Sequence, residues 1–163
     1  MAYLAAERVN HALGEVPEWV PVRLDEPGPF RCAEEVLAYQ EDVMRAARAQ
    51  HVQPLRWPEP FPADSEFAML VATYAKQIGR AVAFSLAAFR QAFAGGRDLG
   101  ERDTVLLAAA ACEMHPLAVV KGAKLRGTRE RLEAATAQAR AAGVREVPAV
   151  VATDGRVLEV PAA

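Results

Sequence analysis

The residues of this chain that could perform redox chemistry or bind a metal are few and widely spaced. The two cysteines, Cys32 and Cys112, are far apart in the sequence and form no C-x-x-C motif, so a disulfide framework is not indicated. Buried or half-buried free thiols are the simplest interpretation of both. The three histidines, His11, His51 and His115, have no metal-ligand spacing among themselves or with the cysteines. Because zinc sites need clustered ligands, we predict no metal site.

Three further candidates for binding lie in predicted loops. Arg31 follows a predicted strand, where its fork of N–H donors is suited to a carboxylate, although an exposed loop arginine is the default interpretation. Trp57 and Phe61 lie in the segment 54–62, which contains four prolines. They are suited to lining an apolar pocket between domains, but packing of the loop against helices is favoured.

Pro148 stands at the start of a run of strand-forming residues, in REVPAVV. Proline has no N–H, so within a sheet it is confined to edges, bulges and first positions. A cis peptide bond is the other explanation for a proline at such a place.

Composition indicates a globular chain of about one domain. The 163 residues are 52% hydrophobic and 25% charged, with a net charge of −2. The near-neutral charge gives no electrostatic footprint for nucleic acid, and no apolar run approaches the ~18 residues of a membrane span. Glu7 and Arg8 interrupt the N-terminus, so no signal peptide is evident. We therefore expect a cytoplasmic protein that binds neither nucleic acid nor membrane.

Apolar spacing and punctuating residues predict the elements that must position these side chains. Helices are predicted over residues 2–13, 34–50, 64–94, 98–112, 116–121 and 128–142. Gly14 is expected to end the first helix, Gly79 to divide the third and Gly143 to cap the last. Short strands are predicted over residues 19–24, 149–153 and 157–160.

Loop and capping signals complete this scheme. Residues 25–29 are a predicted loop. Asp64 or Ser65 is expected to cap one helix, Asp98 and Glu101 resemble a capping box for the next, and His115 is expected to start another. Asp154–Gly155 predicts a two-residue hairpin turn. Strands at the two ends and helices between them predict an α/β domain with a helical insertion.

The sequence resembles a known family at several points. The segment 143–149, GVREVPA, is similar to the C-terminal half of a thioredoxin fold, and Ala2 to Arg8 is similar to the first helix of its DsbA-like branch. The pattern most resembles 2-hydroxychromene-2-carboxylate isomerases and kappa-class glutathione transferases. It continues through Pro21-Val22, Tyr39, Asp42, Phe61-Pro62 and Asp64-Ser65.

This resemblance implies a thioredoxin-like α/β fold with a large all-helical insertion. Residues 1–31 and 128–163 would form the thioredoxin-like part, and residues 32–127 the insertion. The family pattern extends past both ends, so we expect a fragment that lacks the first, central strand and the last helix. A shortened relative that has lost its chemistry is the alternative.

The resemblance also implies a substrate-binding site. Pro148 would be cis, Val147 would turn its backbone outward to pair with glutathione like an added strand, and Arg31 lies where relatives carry groups that meet glutathione. The family's catalytic Ser or Cys would fall before Met1, so no catalytic residue is assigned in this chain. Ala2 occupies the position of the second cysteine of a C-x-x-C, which excludes a dithiol that cycles through an internal disulfide.

The function implied is a glutathione-dependent isomerase or transferase, with glutathione as cosubstrate and a small electrophilic or aromatic second substrate. A hydroxyl and the N-terminus of the first helix would stabilise the glutathione thiolate. Two alternatives stay open. One is a thiol-disulfide oxidoreductase with a single upstream cysteine; the other is a non-catalytic binding protein that forms a homodimer through an open sheet edge.

Overall fold

The computed structural model describes residues 2–12, 17–24, 30–52 and 54–159. Within them the chain forms mostly helix, with one small sheet near the C-terminal end. The helices are α1 (Ala2–Ala12), α2 (Ala33–Ala49), α3 (Glu66–Gln77), α4 (Ala81–Phe93), α5 (Arg102–Ala110), α6 (Pro116–Lys124) and α7 (Arg126–Ala141), and the strands are β1 (Ala149–Val151) and β2 (Val157–Glu159). Three of the predictions concern residues outside the described ranges. They are the helix stop at Gly14, the loop 25–29 and the last strand residue, Val160.

The glycines and short polar residues divide the helices largely as predicted. Gly79 separates α3 from α4 with a φ of +73°, and Gly143 follows α7 with a φ of +91°, a region that glycine enters without steric cost. The Asp64 carboxylate accepts the Glu66 N–H at 3.0 Å at the start of α3. His115 Nδ1 accepts the Leu117 N–H at the start of α6.

The predicted strand over residues 19–24 is wrong. Residues 17–24 are not part of a sheet, because β1 and β2 are hydrogen-bonded only to each other among the described residues. The segment is held by helices instead. The Arg23 N–H donates to Thr136 Oγ1 of α7 at 3.0 Å, and the Arg23 guanidinium lies 3.8 Å from carboxylate oxygens of Asp64 and Glu66.

Two local predictions also need correction. The capping box does not form, because Asp98 accepts the Gly100 N–H at 2.7 Å and Glu101 makes no side-chain cap at the start of α5. The hairpin loop has three residues, 153–155, since Ala152 and Arg156 are paired by a 2.9 Å backbone hydrogen bond. Gly155, with a φ of +85°, completes a turn of the type that three-residue hairpins use.

Apolar spacing in α7 predicts a buried stripe of Leu132, Ala135, Ala139 and Ala142. Of these only Leu132 is buried; its buried companions are Thr128 and Thr136, while Ala142 is exposed. Both threonines satisfy their hydroxyls on nearby carbonyls: Thr128 donates to Gly122 and Thr136 to Leu132, each at 2.8 Å. Burial of these hydroxyls therefore leaves no unpaired donor.

Two apolar clusters hold the described helices together. The larger one contains residues of all five helices from α3 through α7. It includes the fully buried side chains Val71, Phe84, Val105 and Val119. The smaller one joins α1, α2 and the far end of α4, around Tyr3, Leu4, Val43 and Ala47. Because α4 supplies Phe84 to the first cluster and Phe89 to the second, this helix links the two.

Candidate functional site

Val147 and Pro148 lie in the connection between α7 and β1. Val144 anchors this connection: its side chain is buried and its N–H donates to the Ala139 carbonyl at 3.0 Å. The chain then turns outward, and Val147 is 48% exposed. Its peptide bond to Pro148 is cis. The Val147 backbone makes no hydrogen bond to the part of the chain that the structure describes.

Arg31 is exposed, and its backbone N–H, Nε and Nη2 all contact one carboxylate. Its Nε lies 2.8 Å from Glu35 Oε1, its Nη2 lies 2.5 Å from the same oxygen, and its backbone N–H donates to Glu35 Oε2 at 2.8 Å. These hydrogen bonds lower the pKa of the Glu35 carboxyl group, and the bond from the Arg31 backbone N–H has the largest effect. A carboxylate that binds Arg31 in the forked geometry through Nε and Nη2 must therefore displace Glu35.

A polar network at the protein surface joins the first turns of α1 to α4. Arg90 of α4 holds the Glu7 carboxylate with two bonds of 2.8 Å, and the Tyr3 hydroxyl donates to the same carboxylate. The Arg90 hydrogen bonds lower the pKa of Glu7, while burial raises the pKa of Tyr3. Sequence reasoning missed this network, because its partners are 83 residues apart and no local pattern joins them.

Trp57 and Phe61 pack against helices, which is the interpretation that the sequence favours. Their rings are 4.8 Å apart, and both contact Tyr39 of α2, whose ring also lies 5.2 Å from Phe30. Trp57 also meets Phe93 of α4 edge to face at 5.8 Å. Edge-to-face and offset pairs of this kind favour ordered packing. Phe30, which belongs to this aromatic group, directly precedes the candidate binding residue Arg31 in the chain.

The cysteines are free and occupy different environments. Cys112 is buried as predicted, and burial raises the pKa of its thiol, which makes it a poor nucleophile. Cys32 is exposed, so the prediction of a buried or half-buried thiol is wrong there; it stands just before α2, outside both apolar clusters. Among the described residues there is no group of three or more side chains suited to a metal ion. The same residues contain no helix that is long and apolar enough to cross a membrane.

Comparison with known proteins places the chain in a family. The DSBA-like thioredoxin domain family matches residues 2–162. The chain therefore belongs to that family, and its fold is a thioredoxin-like α/β fold whose content is mainly helical. This confirms the fold class that the sequence predicts.

Similarity to individual proteins is structural. A solved structure of 2-hydroxychromene-2-carboxylate isomerase superposes with a TM-score of 0.81 at 19% identity, covering 96% of this chain and 81% of that one. No curated protein matches the sequence. At this identity the superposition shows a shared fold. The predicted boundaries of the insertion, residues 32–127, stay a prediction.

Proposed function

We propose that this chain belongs to a glutathione-dependent isomerase or transferase of the DsbA-like thioredoxin superfamily, and that the Val147 backbone binds glutathione. The observation that carries the proposal is the exposed residue Val147, which lies shortly before β1 of a DsbA-like domain. Its backbone makes no hydrogen bond to the described residues. The shared fold with an isomerase of this superfamily supports the isomerase class.

The binding mode follows from strand pairing. A short extended peptide laid beside Val147 would gain the hydrogen bonds that a neighbouring strand would make. Pro148 has no N–H to offer, so pairing at this point depends on Val147 alone. The side chain of Val147 contributes little, because pairing uses the main chain.

Arg31 is proposed as a second contact, to a glutathione carboxylate. Its guanidinium is already held by Glu35, so the incoming carboxylate exchanges one charge-assisted pair for another. The net contribution of Arg31 to affinity is therefore small unless Glu35 moves away.

The chemistry proposed is that of the bound thiolate. The glutathione thiol releases its proton to solvent, and the thiolate sulfur adds to an electrophilic carbon of a small, conjugated or aromatic substrate, whose π-electron pair moves onto the conjugated system. In an isomerisation this pair returns after the substrate has rearranged and expels the thiolate, so the C–S bond breaks. In a transfer the adduct takes a proton from solvent, or expels a leaving group with its bonding pair, and the C–S bond remains in the product. The role that we propose for this chain is to bind and orient glutathione.

Titration calorimetry with glutathione tests the site. We expect saturable binding to the native chain, a loss of at least tenfold in affinity in Val147→Pro, which removes the N–H donor, and a change of less than threefold in Val147→Ala, which keeps it. Equal affinities of the two variants would contradict backbone pairing. Absence of binding to the folded native chain would contradict the proposed function and favour a protein that binds another partner.

A second titration isolates Arg31. Glu35→Gln removes its competing carboxylate and should strengthen glutathione binding a few-fold, while Arg31→Gln should weaken it or leave it unchanged. The double variant should bind like Arg31→Gln, because Glu35 acts only through the arginine. Weaker binding in Glu35→Gln would show that Arg31 does not hold a glutathione carboxylate.

A further inference from the structure

A separate cavity lies between the segment 17–24 and two helices, away from the Val147 connection. Its volume is about 340 Å³. The lining residues are Val20 and Pro21 of the segment 17–24, Thr73, Lys76 and Gln77 of α3, and Arg131 and Ala135 of α7. Ligand pockets start at about this size. The bond from the Arg23 N–H to Thr136 Oγ1 ties the segment to α7 beside it.

The charged groups of this cavity are all basic. Lys76 and Arg131 line it, and no carboxylate does. The Lys76 ammonium pairs with Glu18, which is not part of the lining. The nearby carboxylates of Asp64 and Glu66 face Arg23, and that of Glu66 also binds Arg129. Because Glu18 already pairs with Lys76, the positive charge left without an acidic partner among the described residues is that of Arg131.

Arg131 differs from two other arginines of α7 in its partners. Arg126 binds Glu130 at 2.7 Å and Arg129 binds Glu66 at 2.9 Å. Arg131 makes one hydrogen bond, from Nη1 to the Gly127 carbonyl at 3.0 Å, and has no acidic partner in the described part of the chain. Its other N–H donors are free to bind a carboxylate in the forked geometry that guanidinium groups favour.

Three of the other five lining residues are apolar, and they select the body of the ligand. Val20, Pro21 and Ala135 are apolar, so an inorganic anion would leave these walls facing water, whereas a short hydrocarbon or aromatic group would cover them. We propose that this cavity binds a small organic carboxylate, with the carboxylate on Arg131 and Lys76 and the apolar body against Val20, Pro21 and Ala135. None of the residues that line this cavity belongs to the proposed glutathione site.

Benzoate is the probe, with benzyl alcohol as its uncharged counterpart and inorganic phosphate as the anion without an apolar body. Titration calorimetry of the full chain at low salt should show saturable benzoate binding and much weaker binding of the other two. Arg131→Gln should weaken benzoate about tenfold, the loss of one charge-assisted contact. The matched variant Arg126→Gln, on the same helix, should bind benzoate like the native chain.

Two further measurements keep the test sharp if Arg131→Gln folds poorly. Ala135→Leu fills the cavity and leaves both cations, so it should abolish benzoate binding. In the native protein, benzoate should shift the NMR signals of the Gln77 side-chain amide and of Arg131 Nε–H, while leaving that of Arg126 unchanged. Equal binding of benzoate and benzyl alcohol, tighter binding of phosphate, equal affinity in the two arginine variants, or shifts elsewhere would each overturn the proposal.

Discussion

Gly122 of α6 packs so closely against α3 that no side chain fits at this position. A Cβ built on Gly122 would lie 2.4 Å from Cδ2 of the Tyr74 ring, far inside van der Waals contact. We expect Gly122→Ala to lower the free energy of unfolding by about 1–3 kcal/mol, the usual cost of overpacking, as measured by urea denaturation. Gly127 is the control, because there a Cβ would meet only the tip of Arg131. Gly127→Ala should be neutral or stabilise by up to about 1 kcal/mol, and equal losses in both variants would contradict the packing argument.

The carboxylate of Glu7 gives a pH-dependent contribution to stability. Its pKa in the folded chain is lowered, chiefly by the Arg90 hydrogen bonds. A lowered folded pKa stabilises the protein above the pKa of the unfolded state, and this stabilisation is lost as the pH falls through the folded value. Glu7→Gln should therefore cost about 1 kcal/mol near pH 7, with the difference from the native chain shrinking below about pH 4.5.

A parallel substitution separates this effect from general loss of charge. Glu113 pairs with Arg80 at 3.1 Å but is 82% exposed, so Glu113→Gln should change the free energy of unfolding little at any pH. Chemical denaturation of both variants between pH 3 and pH 7 supplies the comparison. A Glu7→Gln difference that is flat across this range would show that the carboxylate charge does not stabilise the contact between α1 and α4.

Among the elements, the segment 17–24 depends on α7 rather than on a sheet. Thr136→Val keeps the shape of the side chain but leaves the Arg23 N–H without its acceptor, at a cost of about 1 kcal/mol. Hydrogen exchange at the Arg23 amide should accelerate in Thr136→Val and stay close to native in Thr136→Ser, which retains the hydroxyl. Unchanged exchange in the valine variant would mean that another contact protects this amide.

Local patterns predict the helices well and the contacts between them poorly. Apolar spacing, Gly79 and Gly143 place the breaks between helices close to where they occur, because these signals act within a few residues. The strand over residues 19–24 fails because pairing is a long-range property: alternation identifies an extended segment but not its neighbour. The Arg23–Thr136 bond spans 113 residues, beyond the reach of any local pattern.

At the scale of the whole molecule, the sequence identifies the family correctly, whereas the functional site is a proposal. The order of several weak motifs, from Ala2 to Pro148, identifies the DsbA-like fold that the family match confirms. The same motifs do not report the Glu35 carboxylate that occupies Arg31, or the basic cavity beside α7. Motif order is set by the fold, whereas occupancy and charge balance depend on side chains that the fold leaves free to vary.

The two apolar clusters are expected to unfold together. Helix α4 places Phe84 in the larger cluster and Phe89 and Phe93 against the smaller one, so neither loses its packing without disturbing the helix that both share. In a Trp19→Phe variant, the fluorescence of Trp57 reports the smaller cluster, while far-UV circular dichroism reports all helices.

We expect the two signals of this variant to give the same urea midpoint, as a single cooperative transition requires. An earlier fluorescence transition would mean that α1 and α2 separate from a core that stays folded. Glu7→Gln should then advance the fluorescence transition alone, because the bond it weakens joins α1 to α4. In the cooperative case the same substitution lowers both midpoints equally, so this variant distinguishes a shared helix from two independently stable clusters.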